Sequence, residues 1–337
     1  MKRTWFVALL VFILAISLVG CAGKDKAPAA QPEKKAEITL KLGYGQPTSN
    51  PRHINADKYS KWVYEQTNGK VKIDLFPNET LGSDKQMTEM AANGSLDMVI
   101  TAQGVLSSYE PKIAGIGLPF LFDSMDKVGK VLDGPIGEEL AKDLPSKGIR
   151  MLAYWDNGLR QITNSKRPIE QPGDLKGLKI RTPEDKMTLS IFRAMGANPA
   201  PLAFPELYLA LSQGVFDGQE NPVVNIHSSK FYEVQKFISM TNHKYEACPL
   251  IISEKTWQKL PPDVQKVLKE GAVKFAIEHR KMDADNESKL IADLEAKGMK
   301  VNKPNLAPFR EATKAVYDEW VPVLGKDLMD RMIAAVK

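Results

Sequence analysis

The residues best suited by type and spacing to do chemistry lie in GVFDGQENP, Gly214 to Pro222, where Asp217 and Glu220 stand three positions apart beside an amide pair and a proline. Two carboxylates could serve as a glycosidase acid and base, but that chemistry needs them at a set separation across a sugar bond, and neighbours in one loop seldom face each other so. A calcium loop would want several more spaced oxygen ligands. No GxSxG elbow, SxxK arrangement or Cys-His pairing marks a nucleophile. The four histidines, His53, His227, His243 and His279, are scattered, with no HExxH and no CxxC, so no metal site is expected. Gly43 and Gly45 lack the third glycine of a dinucleotide loop, and there is no GxxxxGK run of a phosphate loop. The expectation is a protein that is not an enzyme and carries no cofactor.

The elements that must position these residues follow from hydrophobic periodicity. ITLKLGYGQ (38 to 46) alternates as a half-buried strand does, and the turn-rich PTSNPRH follows. A helix pattern from Ala56 to Gln66 leads to the alternating VKIDLFP, and a second from Asp84 to Asn93 leads to LDMVITA. This repetition predicts α/β architecture with a largely parallel sheet. Later, IRMLAYW and LKIRTP read as strands, and Pro205 opens a helix with Leu207, Tyr208 and Leu211 on its apolar stripe and Gly214 at its end. The longest periodic segment runs from Pro262 to Lys297. At about 1.5 Å per residue it would reach roughly 54 Å, so it either spans two domains or breaks near Asp285.

The chain has 337 residues, 43% of them hydrophobic and 26% charged, enough for two folded domains. Lys2 and Arg3 precede an apolar run from Trp5 to Val19, a pattern of a signal peptide over residues 1 to 20. LVGC looks like a bacterial lipobox, which implies cleavage before Cys21, a lipid on its sulfur and anchoring to a membrane. Residues 21 to 37 are small, charged and proline-containing, and read as a flexible tether. Cleavage would remove Lys2 and Arg3 and lower the formal charge from +5 to +3, too weak and too evenly spread for nucleic acid. With Cys21 lipidated, Cys248 stands alone and no internal disulfide can form.

Three segments in order, WDNGLRQITNSKRPI (155 to 169), DLKGLKIRTP (174 to 183) and NPAPLAFPELYLALSQGVFDGQENP (198 to 222), make the chain resemble the solute-binding components of tripartite ATP-independent periplasmic (TRAP) transporters, DctP type. LFPNETLGSD, GSLDMVI and FYEVQKFISMTNH extend the likeness over nearly all of the mature chain. The resemblance implies a two-domain periplasmic-binding-protein-like (Venus flytrap) fold with a long helix crossing both domains. Domain I would comprise 38 to 157 plus 247 to 286, and domain II 158 to 246 plus 287 to 337. It implies a monomeric extracytoplasmic receptor that closes on a small organic acid and passes it to membrane permease subunits driven by an ion gradient.

Carried over residue by residue, the resemblance makes Arg181 the carboxylate anchor, a task suited to the planar guanidinium fork. Arg160 would reach the same carboxylate or another acidic group, Asn221 would hydrogen-bond the bound acid, and Phe204 would pack on it. Asp217 and Glu220 would satisfy backbone donors or pair with nearby bases in a positioning loop. Gln46, Asp84 and Gln103 are candidates for the opposite wall, while Trp155 and Asn157 flank the first hinge crossing and either touch ligand or pack. Sialate-binding members carry a glutamate just after the SLD strand, where this chain has Ala102 and Gln103. A smaller acid, a C4-dicarboxylate or a uronate, is therefore expected. The rival readings are a lipoprotein presenting its ligand to a signalling partner and an extracytoplasmic enzyme acting on small acids.

Overall fold

The structure, a computed structural model, describes residues 36–337. The expected signal peptide, the lipidated Cys21 and nearly all of the tether lie outside the described residues. Among those described, no helix is long and apolar enough to cross a membrane.

The N-terminal half is built as strand, helix, strand. β1 (Ile38–Tyr44) lies parallel to both β2 (Val71–Phe76) and β3 (Met98–Ile100), with Leu42 opposite Leu75 on one side and Met98 on the other. The helix between β1 and β2 starts at Pro51, five residues before the apolar periodicity suggested. Asn50 caps it by accepting from the Arg52 backbone at 2.9 Å, and Pro51 at the first position loses no hydrogen bond. Helix Asp84–Asn93 is opened by a reciprocal capping box between Ser83 and Gln86 and closed by Gly94 at φ 85°.

The remaining strands are β4 (Ile149–Asn164), β5 (Lys179–Thr182), β6 (Asn198–Pro201), β7 (Gly218–Pro222), β8 (Phe237–Ser239), β9 (Tyr245–Ser253) and β10 (Lys300–Asn302). The sheet runs in the order β2-β1-β3-β9-β4-β7-β5-β6, with β8 also on β4 and β10 on β8. β4 belongs to two half-sheets: residues 149–159 pair with β9, and residues 160–164 pair with β7 and β8. Its ladder with β9 shifts between Asp156 and Gly158, and Gly158 sits at φ 116°, which a side chain would strain. This gives the two-lobed binding-protein fold.

GVFDGQENP is not a loop as expected: Gly218–Pro222 is the fully buried strand β7, antiparallel to β4 and parallel to β5. Its polar side chains hid it, because burial there is compensated by partners from elsewhere in the chain and leaves no hydrophobic alternation.

Helix Pro262–Ala296 is continuous over 35 residues, about 52 Å long. In the first lobe its Leu268 and Ala272 carbonyls accept from Tyr59 and Trp155, and in the second its Leu294 joins the core of Leu207, Ile226 and Phe231. Helix Ala307–Leu324, followed by Lys326–Ala335, touches both halves: the Tyr317 hydroxyl donates to the Pro119 carbonyl, and Glu319 accepts from Ser190.

Candidate ligand-binding cleft

Arg181 leaves the middle of β5, between β6 and β7, and is 2% exposed. Its Nε and Nη2 both donate to the Leu202 carbonyl, at 2.9 and 2.5 Å, which fixes the plane of the guanidinium. Its Nη1 makes no hydrogen bond among the described residues, so the outer fork remains open. That fork lies in an interlobe cavity of about 40 Å³ whose lining includes Glu79, Asp84, Leu202 and Phe204. Burial lowers Arg181 to about 10, with Glu220 opposing, so the cation persists at neutral pH. A buried guanidinium with an open fork has the charge and geometry to receive an anion, because the unpaired charge is costly and a bidentate carboxylate matches the fork.

The wall opposite comes from the first lobe. Asp84 opens helix Asp84–Asn93, and its Oδ2 accepts from the Ala102 backbone at 3.2 Å. Glu79 sits in a turn in which Asn78 and Glu79 both have positive φ, 57° and 52°, and its backbone N–H donates to the Tyr44 carbonyl at 3.1 Å. One carboxylate oxygen of Glu79, Oε2, is buried with no partner among the described residues. Burial and then the Asp84 charge push Glu79 up to about 8, and burial, opposed by Arg52, pushes Asp84 up to about 6. Sequence reasoning missed Glu79. The available signal was its place five residues before Asp84 in LFPNETLGSD.

A charged network adjoins the cavity. Arg160 is enclosed by Glu220, which meets Nε and Nη2, and by Glu246, which meets Nη1. His243 lies 3.2 Å from Glu220, and Lys244 pairs with Asp185. Burial alone would raise Glu220, but Arg160 and then His243 outweigh it and hold the carboxyl at about 2. All three nitrogens of Arg160 are therefore committed to protein acids. Asp217 accepts from the Lys179 backbone at 2.9 Å and so pins the start of β5.

A second network, of amides gathered round Arg52, runs through Gln46, Arg52, Asn157, Asn225, Asn221 and Gln219. Asn157 joins the two networks by donating to Glu246 at 2.8 Å. Arg52, Asn225 and Glu246 were also missed by sequence reasoning, since nothing local distinguishes them from surface polar residues.

The structure thus brings Arg181, Asp84 and Phe204 together at one cavity. It places Arg160, Gln46, Asn157 and Asn221 in the bonded networks. Gln103 accepts from the Ala247 backbone at 2.8 Å, and Trp155 packs edge-on against Tyr59 at 5.7 Å in the first-lobe core. Among the described residues no cluster of His, Cys, Asp and Glu could hold a metal ion.

The profile of DctP, the bacterial extracellular solute-binding protein family 7, matches residues 42–322. The chain is 43% identical over 286 residues, 84% of its length, to the uncharacterized protein y4mM of Sinorhizobium fredii, and spans only 52% of that protein. It is 36% identical over 266 residues to the 2,3-diketo-L-gulonate-binding periplasmic protein YiaO of Escherichia coli, covering 79% of this chain and 81% of that one. Among solved structures, a TRAP periplasmic solute-binding protein from Polaromonas sp. JS666 bound to D-erythronate matches with a TM-score of 0.86 at 38% identity, covering 88% of this chain and 99% of that one. The relatives and neighbours that carry a function in their names are binding proteins rather than enzymes, as expected here. On the shared profile, the two-lobed fold and these likenesses, the chain belongs to the DctP family of TRAP-type extracellular solute-binding proteins.

Proposed function

We propose that the chain is the extracytoplasmic receptor of a TRAP transporter: it captures a small organic acid by its carboxylate on Arg181 and delivers it to an ion-gradient-driven membrane permease. The observation that carries this reading is the buried Arg181, clamped to Leu202 along one edge and open along the other. Phe204 beside it lowers the local dielectric and strengthens the ion pair. The names of YiaO and of the Polaromonas protein support an acid as the ligand.

Lobe I (38 to 157 plus 247 to 286) and lobe II (158 to 246 plus 287 to 337) would close about β4 near Gly158, β9 and the long helix. The acid favours closure only so far as it binds the closed form better. A lipid on Cys21 would hold the receptor near its permease. The test is a thermal-shift screen with organic acids: a ligand should raise Tm by mass action. Arg181→Ala should lose at least about a hundredfold in affinity, and Arg181→Lys should not restore it, because the ammonium cannot form the fork. An unchanged response in Arg181→Ala would sink the assignment.

A further inference from the structure

The charge inventory of the cleft is lopsided. Its lining contains one cation, Arg181, and three acids, Glu79, Asp84 and Glu184. The neighbouring cations offer no second open fork. Arg160 is held by Glu220 and Glu246, and the Nη groups of Arg52 are committed to Gln46, Asn157 and the Asp156 carbonyl, while its buried Nε has no partner among the described residues. Of the two carboxylates on the first-lobe wall, Asp84 has one oxygen on the Ala102 N–H, and Glu79 has an oxygen buried without a partner. Once both are ionised, above the value of about 8 at which Glu79 is held, the wall that faces Arg181 is one of acceptors.

Resting on the reading of this cleft as an acid receptor, we propose that Glu79, with Asp84, is the specificity-determining wall, and that it selects a polyhydroxy monocarboxylate, an aldonate-type sugar acid, over a dicarboxylate. A hydroxyl can donate to either carboxylate and take up the unpartnered Glu79 oxygen. With Glu79 ionised, as at pH 8.5, a second ligand carboxylate in the same place would meet like charge, which costs far more than it returns at close range. The apolar surfaces of Leu202 and Phe204 then suit the carbon chain between the two ends. This narrows the expectation of a C4-dicarboxylate or uronate to the hydroxylated, singly charged side of that range.

The experiment is titration calorimetry at pH 8.5 with D-erythronate and succinate, acids of equal carbon number, and with L-gulonate as a longer polyhydroxy acid. The wild-type protein should bind the better aldonate at least about tenfold tighter than succinate. Glu79→Gln should narrow that ratio by about tenfold, because the amide removes a potential charge and can itself donate to a carboxylate. Glu79→Asp, which keeps the charge but withdraws it by one methylene, should preserve the preference while weakening aldonate binding. It keeps the test alive if the glutamine variant does not fold.

Succinate binding as tightly as either aldonate, or an unchanged ratio in Glu79→Gln, overturns the hydroxyl-reading wall while leaving the acid receptor in place. No binding of any of the three acids, or binding that survives Arg181→Ala, overturns the receptor reading and this inference with it.

Discussion

Arg160 and Arg181 are both buried, yet their partners give them opposite roles. Arg160 is saturated by Glu220 and Glu246, so its removal would strand two carboxylates in the interior. Arg160→Ala is expected to destabilise the fold by about 3–5 kcal/mol in urea unfolding, whereas Arg181→Ala should leave the unfolding midpoint nearly unchanged and abolish acid binding. Glu220 also links stability to acid. Its carboxyl is held at about 2 against an ordinary 4.5, so its contribution is full above the unfolded value and is lost as pH falls towards 2. Glu220→Gln should lower stability at pH 7 and flatten this acid limb, measured as Tm against pH. An equally steep limb in the variant would argue against the network.

At the scale of elements, the crossing of β4 and helix Pro262–Ala296 brings two buried acids together. Asp156 on β4 accepts from the Tyr245 hydroxyl at 2.7 Å, and Asp283 on the helix lies within hydrogen-bonding reach of Asp156. Together they line a cavity of about 220 Å³ at the hinge. Burial first, and for Asp283 then the Asp156 charge, raises both; the Tyr245 hydrogen bond, Arg280 and Arg52 oppose this for Asp156, and Arg52 opposes it for Asp283, where Glu287 adds to it. A raised acid stabilises fully below its unfolded value near 3.8 and loses that contribution as pH rises through the folded value. Asp283→Asn is therefore expected to raise Tm at pH 8 and to change it little at pH 4. A lower Tm at pH 8 would show that the charged form is the one the hinge needs.

Across the whole molecule the lobes are drawn together over Arg181. Asn50 of the first donates to Asn225 and Ser228 of the second, at 3.0 and 2.9 Å. Gly104 of the first approaches Asp185 of the second so closely that an added Cβ would lie 2.5 Å from the Asp185 Cβ and 3.2 Å from its Cα. Gly104→Ala should thus hold the lobes apart. It is expected to weaken acid binding by about tenfold, since binding is linked to the population of the closed form, with the urea midpoint retained. Small-angle scattering of the variant at saturating acid should report a larger radius than wild type, and equal radii would refute the contact as a brake on closure. Helix Ala307–Leu324 touches both halves through Tyr317 and Glu319.

The sequence by itself carried the family resemblance and the α/β order, and through that resemblance implied the two-domain plan, a long crossing helix and Arg181 as a candidate anchor, while periodicity alone left the helix free to break near Asp285. These rest on contiguous motifs and on periodicity, which are local properties of a chain. It also placed Asp84 and Phe204 among the candidates that the fold gathers round that anchor. Only the tertiary structure decided that Gly218–Pro222 is an interior strand, that Arg160 is neutralised by Glu220 and Glu246, that Gln103 accepts from the Ala247 backbone while Trp155 packs in the first-lobe core, and that Glu79 faces the cleft. Each of these depends on a partner supplied from another part of the chain, across β4, β7 and β9 or across the two lobes. A polar side chain carries no local mark of whether water or such a partner will satisfy it, and the distinction between a buried ion pair and an open receptor is made by the fold.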